Sequence, residues 1–222
     1  MLNDFVRKNI KFFSQEVQNF KDYWRADEEY VVNKFFEGKK TLVLGCGAGR
    51  TLLPLYKKGF EVIGIDITKE MVVAARQKLQ NYPIEILEMD ACNLKFGDNT
   101  FDNIFFPFHG IDYVHPDIYR AVAEAKRVMK SNGAFVFNSH NRFSLKVLHR
   151  FFEGNYADYG GLITYRTTPL DLWRLKKYFK KVKMIQRISI MVDWKSANWK
   201  DICYKLVPFL NKSTYFICLG KK

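Results

Sequence analysis

The stretch that most constrains this chain runs from Thr41 to Gly49. The apolar residues Leu42-Val43-Leu44 feed directly into Gly45-Cys46-Gly47-Ala48-Gly49, and an amphipathic segment follows. A short apolar run bounded by turn residues reads as a buried strand. Glycines let the backbone turn tightly and bring main-chain N–H groups against a ligand, while a helix opening behind them offers unpaired N–H groups. A strand, a glycine turn and a helix in that order form the first unit of a parallel sheet covered by helices on both faces. The rhythm continues through predicted strands at Glu61–Asp66, Ile84–Asp90, Phe101–Phe106 and Ala134–Ser139. Between them, helices are predicted over Gly49–Lys58, after a Thr68 cap with Met71, Val72, Ala75 and Leu79 on one face, and from Pro116 to Asn132-Gly133. Val182–Met191 and Thr214–Leu219 read as the last two strands.

Outside this frame stand two regions. Leu2, Val6, Ile10, Phe13, Val17, Phe20 and Trp24 form one stripe of an amphipathic helix, which a second helix around Glu28–Phe36 follows up to Gly38. The stripe needs a surface to lie on, either the domain that follows or a membrane or partner. We therefore divide the chain into a helical cap or lid, residues 1–39, and one domain, residues 40–222. Within that domain, residues 141–168 are rich in aromatics and glycines and too long for a simple connection.

Charge is distributed unevenly. The formal net charge is +13, yet residues 41–140 carry 11 basic and 11 acidic side chains while residues 141–222 carry 17 and 5. A nucleic-acid reading would have to rest on the last third, which shows no added binding module. An anionic small molecule, an anionic membrane surface or plain solvation fits the surplus as well. Met1–Phe13 contains no continuous apolar segment of the signal-peptide kind, and no run approaches the roughly 18 apolar residues of a membrane span. Cys46, Cys92, Cys203 and Cys218 are widely spaced, without the pairing of a zinc site or a disulfide framework. The expectation is a soluble cytoplasmic protein with reduced thiols and no metal.

Two acids sharpen the glycine turn into a site. Asp66 ends the second predicted strand, 21 residues after Gly45, where a carboxylate can accept both hydroxyls of a ribose. Asp90 ends the third, where a second acid can meet an adenine amino group. A dinucleotide enzyme would use similar parts, but the third glycine of its pattern is replaced by Arg50. Taken with Phe101-Asp102 and the turn Ser131-Asn132-Gly133-Ala134, these residues resemble the class I S-adenosylmethionine-dependent methyltransferase family over about residues 40–140. The resemblance implies an α/β Rossmann-like doubly wound sheet of seven strands, mostly parallel, with the last strand antiparallel. It also implies S-adenosylmethionine as cofactor, with S-adenosylhomocysteine as product. Gly45, Cys46, Gly47 and Gly49 would lie along the methionyl part, Asp66 would hold the ribose, Asp90 the adenine, Ile67 and Ala91 the walls of its slot, and Phe106 the region of the methyl group. One departure stands out: family members usually carry an acid two residues before the first glycine, and this chain has Val43.

Methyl transfer needs alignment above all, and proximity alone supplies about 7–11 kcal/mol. A hydroxyl or carboxylic acceptor also needs a base, for which a neutral imidazole suits pH 7. His109, after the fourth strand, is the first candidate and His140, after the fifth, the second; each could instead be a structural hydrogen bonder. Asp112 and Tyr113 are candidate orienters, and Tyr113, Asn141, Arg142, Tyr159 and Tyr165 candidate acceptor contacts. Phe105-Phe106-Pro107-Phe108 lacks the polar residue that resembling base-amino methyltransferases place there, which argues against nucleic-acid bases. The expected activity is methyl transfer to a small or lipid-like acceptor, at oxygen, with at most peripheral membrane contact. The alternative is a nucleotide- or RNA-binding protein of the same fold that has lost catalysis.

Overall fold

The computed structural model describes residues 3–19, 23–114, 116–140, 156–159, 162–165, 171, 174–186 and 213–222. Two N-terminal helices, α1 (Asp4–Gln15) and α2 (Ala26–Phe35), precede the alternating core of β1 (Lys40–Leu44), α3 (Leu52–Lys57), β2 (Glu61–Asp66), α4 (Lys69–Lys78), β3 (Glu85–Glu88), β4 (Phe101–Phe106), α5 (Ile118–Val128) and β5 (Met129–His140). A hairpin of β6 (Tyr156–Tyr159) and β7 (Leu162–Tyr165) stands apart, and β8 (Phe179–Gln186) and β9 (Ser213–Lys221) complete the main sheet.

The sheet has the order β3-β2-β1-β4-β5-β9-β8. Strands β1 to β5 run parallel, and β9 inserts antiparallel between β5 and β8. The Rossmann-like seven-stranded α/β fold implied by the resemblance is the one observed. Alternation along each strand divides the core in two. Leu42, Leu44, Ile104, Phe106, Phe135 and Phe137 face α5 on one side, while Val43, Phe105, Val136, Tyr215 and Ile217 face α2, α3 and α4 on the other. Both faces are dry, so β1 reads as an uninterrupted apolar run.

Some boundaries differ from those predicted, for local reasons. The turn Ser131-Asn132-Gly133 lies inside β5 as a bulge: Phe101 pairs with Met129, and the next paired residues are Asn103 and Ala134. The N-terminal stripe breaks after Gln15, and a short 3-10 turn, Val17–Asn19, replaces its continuation. Thr68 takes the N-cap position of α4 without a side-chain cap bond. Its N–H instead donates to Asp66, at 2.9 Å. The strand predicted at Val182–Met191 begins earlier, at Phe179, and its residues after 186 lie outside the described residues, as do most of 141–168.

The start of α2 carries four charges. Arg50, directly after the glycine turn, donates both guanidinium arms to Glu28 at 2.6 Å each, and Glu28 is fully buried. Arg25 pairs with the equally buried Asp27, which also accepts the Tyr215 hydroxyl at 2.8 Å. Removing one partner of a buried pair leaves the other charge uncompensated. Glu28→Ala is therefore expected to destabilise the protein by about 3–5 kcal/mol in urea unfolding. A loss near zero would show that Arg50 finds an equally good partner.

Candidate active site

The winding of the sheet reverses between β1 and β4: the chain first builds β2 and β3 on one side, then crosses to β4 and β5 on the other. The loops leaving β1 and β4 diverge, and a crevice opens at the carboxyl edge where ligands of open α/β sheets bind. A cavity of about 420 Å³ occupies this crevice. Gly45, Gly47, Asp66, Ile67, Asp90, Ala91 and Phe106 all line it, so the residues expected to meet a nucleoside lie along one wall. Gly49 lies outside that wall. A Cβ on it would come within 3.0 Å of Leu79 and 3.3 Å of Ala75, so its role is close packing on α4. Cys46 is also absent from the lining; its thiol is buried, and burial pushes its pKa up.

Gly47 is the open side of the cradle. Its φ is +52°, and a Cβ there would meet nothing within 4 Å, so a ligand can lie directly on the main chain. Its N–H donates to Asp66 at 2.8 Å. Burial raises the pKa of Asp66, although the N–H groups of Thr68 and Gly47 oppose the shift by stabilising its charge. At the other acid, Asp90, the carboxylate accepts the Cys92 N–H at 2.8 Å, which fixes the turn after β3. Carboxylates at two strand ends, a backbone-lined floor and apolar walls suit a nucleoside joined to an amino-acid tail.

Opposite, the wall continues into a strained turn. Phe108 and His109 both have positive φ, +55° and +62°, a conformation that costs non-glycine residues roughly 1–2 kcal/mol each. The surroundings hold it: the His109 N–H donates to Asn138 at 3.0 Å, and the ring pairs with Ser213 Oγ at 2.8 Å. His109 and His140 are brought together, their rings stacked at 3.8 Å between centroids. His140 Nδ1 and its N–H both meet Asp112 Oδ2, at 2.9 and 2.8 Å, and the Ser139 hydroxyl donates to the other oxygen. Burial raises the pKa of Asp112, and the His140 contacts oppose the rise. Phe108, Gly110 and Tyr113 line the cavity, whereas His109 and His140 stand behind that wall.

The roof is α1. Val6, Asn9, Ile10 and Phe13 line the cavity, and Phe13 meets Tyr113 edge-on at 5.2 Å. The stripe in the sequence indicated that this helix had to be covered, without revealing what lies beneath it. Asp117 and Arg120, near the start of α5, also line the cavity and carried no sequence signal. Tyr165 packs against the main core. Tyr159 is described by its backbone in β6, and Asn141 and Arg142 lie outside the described residues. Among the described basic residues of the last third, Lys180, Lys181 and Lys222 are exposed where β8 begins and β9 ends, the opposite end of the sheet from the glycine turn.

Among the described residues, no helix is long and apolar enough to cross a membrane. Comparison with known proteins gives a consistent picture. Residues 42–137 match the family described as methyltransferase domain. The YqeM protein of Bacillus subtilis is 32% identical over 132 residues, 58% of this chain and 53% of that protein. A phosphatidylethanolamine N-methyltransferase of Cereibacter sphaeroides is 36% identical over 107 residues, covering 46% and 51%. The chain thus spans about half the length of these relatives. A phosphoethanolamine N-methyltransferase of Haemonchus contortus, solved with phosphomonomethylethanolamine and S-adenosylhomocysteine, superposes with a TM-score of 0.65 at 14% identity, over 99% of this chain and 60% of that one. The match over residues 42–137, with the strand order and crevice described above, makes this part of the chain similar to the class I S-adenosylmethionine-dependent methyltransferases.

Proposed function

We propose that this protein transfers a methyl group from S-adenosylmethionine to a small-molecule or lipid-like acceptor, at oxygen. The observation that carries the proposal is the cavity wall on which Gly47, Asp66 and Asp90 converge at the sheet reversal. When bound, S-adenosylmethionine supplies a methyl group already activated by its sulfonium. The protein's task is then to hold and align. Asp66 accepts the ribose hydroxyls, Asp90 faces the adenine between Ile67 and Ala91, and the Gly45–Gly47 backbone carries the amino-acid tail. Phe106, Phe108 and Tyr113 close the space beside the methyl group and exclude water from it. Tyr113, which lines the cavity, is the first candidate for the acceptor side, with Asn141, Arg142, Tyr159 and Tyr165 as further candidates from the sequence.

For a hydroxyl acceptor, the proton goes to the imidazole pair. Asp112 fixes the orientation of His140, His140 backs His109, and His109 sits between the lining residues Phe108 and Gly110. The similar proteins whose names describe N-methylation of ethanolamine phosphates make nitrogen the competing acceptor atom. The cationic surface at the far end of the sheet does not enter the acceptor site in this proposal.

Calorimetry is expected to give one-to-one binding of S-adenosylhomocysteine, and no binding at millimolar ligand would end the proposal. Loss of a hydrogen-bonded charge costs about 1.5–3 kcal/mol, so Asp66→Ala should weaken binding roughly 10- to 150-fold. Asp66 holds the ribose as a carboxylate, and its raised pKa means that it takes up a proton sooner on acidification than an ordinary Asp. Affinity should therefore fall on acidification, starting above the usual aspartate range, a step that Asp66→Asn should abolish. His109→Ala should leave binding intact and lower turnover in a screen with methyl-labelled donor and hydroxyl or amine acceptors. Unchanged turnover, or label on nitrogen by mass spectrometry, would remove the base or the oxygen assignment respectively.

A further inference from the structure

In α1 the most deeply buried side chain is polar. The apolar members of the stripe, Val6, Ile10 and Phe13, are half-buried, while Asn9 is 2% exposed. A buried polar side chain is more informative than a buried apolar one, because it must find partners. Asn9 finds both on a single residue of the β6–β7 hairpin. Its Nδ2 donates to the Ile163 carbonyl at 2.8 Å, and its Oδ1 accepts the Ile163 N–H at 3.0 Å. This is the exchange that two paired residues of neighbouring antiparallel strands make. The side chain thus extends the hairpin by one residue and welds it to the helix. Asn9 also lines the cavity, together with Val6, Ile10 and Phe13.

We propose that Asn9 is a positioning residue that couples occupancy of the cofactor cavity to the order of the β6–β7 hairpin. A molecule filling the cavity rests against the underside of α1 and restricts it. Because Asn9 ties that helix to Ile163, the restriction passes to the hairpin, on which Tyr159 and Tyr165 stand. By linkage, whatever orders the hairpin from the acceptor side strengthens cofactor binding by the same factor. Each ligand then binds more tightly when the other is present. This coupling rests on the proposed cofactor, and nothing in the composition of the helix stripe foretold it.

The test uses the full chain and S-adenosylhomocysteine, with saturation verified by calorimetry for each variant so that affinity differences drop out. Amide hydrogen exchange is measured with and without the ligand at the residues of β6 and β7 other than Ile163, whose N–H loses its acceptor in the Asn9 variants. In the wild-type protein saturation is expected to slow that exchange about tenfold, within the range usual for coupled sites. In Asn9→Ala, and in Asn9→Leu, which keeps the branching and number of side-chain heavy atoms and loses the hydrogen bonds, the rate should be the same with and without ligand. Val6→Ala, which alters the roof without touching the weld, should retain the ligand-induced slowing. Wild-type exchange that ignores a saturating ligand, or equal slowing in both Asn9 variants, overturns the coupling alone. A wild-type protein that fails to bind S-adenosylhomocysteine overturns the cofactor assignment and the coupling with it.

Discussion

Everything at the functional end of this molecule depends on the reversal of winding between β1 and β4. Two parallel strands that lie side by side send their chains away in opposite directions, and the gap between the departing loops cannot be filled by either. The glycine turn leaves on one side and the strained Phe108–His109 turn on the other, each shaped by the need to skirt the gap. Asp66 reaches it from the end of β2, the neighbour of β1, and Asp90 from the turn after β3, one strand further out. The helix α1 then closes the gap from above, which converts a surface groove into a cavity lined on several sides.

The second organising element is the charge cluster at the start of α2. Desolvating four charges is expensive, and such clusters are weak evidence for stability by themselves. Here they join parts far apart in sequence. Glu28 fixes the guanidinium that follows the glycine turn, and Asp27 reaches Tyr215 on β9. The arginine that spoils the dinucleotide pattern at position 50 is therefore a strut between α2 and the turn. Val43, two residues before the first glycine, packs in one cluster with Phe105 and Val136.

Much of this was legible from sequence because parallel strands buried on both faces have to be continuous apolar runs, and because the turn after β1 tolerates little but glycine. Leu42–Leu44, Phe101–Phe106 and the two strand-end acids could be read directly. What escaped reading depends on contacts across the chain. The partnership of Glu28 with Arg50, the stacking of His109 on His140 and the hold of Asn9 on Ile163 join residues with no shared period or motif. The bulge in β5 reads as a turn in the sequence for a related reason. Ser131-Asn132-Gly133 has turn chemistry, and only pairing with Phe101 on its far side keeps Met129 in the sheet. The helix stripe was real but overextended, since periodicity reports which face is covered and not where the chain changes direction.

The insertion of β9 between β5 and β8 has a consequence for how the chain is made. Strand β5 is complete at His140, but the strand that covers its open edge begins only at Ser213. During synthesis the first five strands can pair as they emerge, and the nascent sheet must then wait with an unpaired edge bearing Phe135 and Phe137. An exposed apolar edge invites pairing with other chains. The chain is thus most exposed to aggregation between the emergence of β5 and the arrival of β9, an interval in which its ligand-binding wall is already built but its sheet is still unsealed.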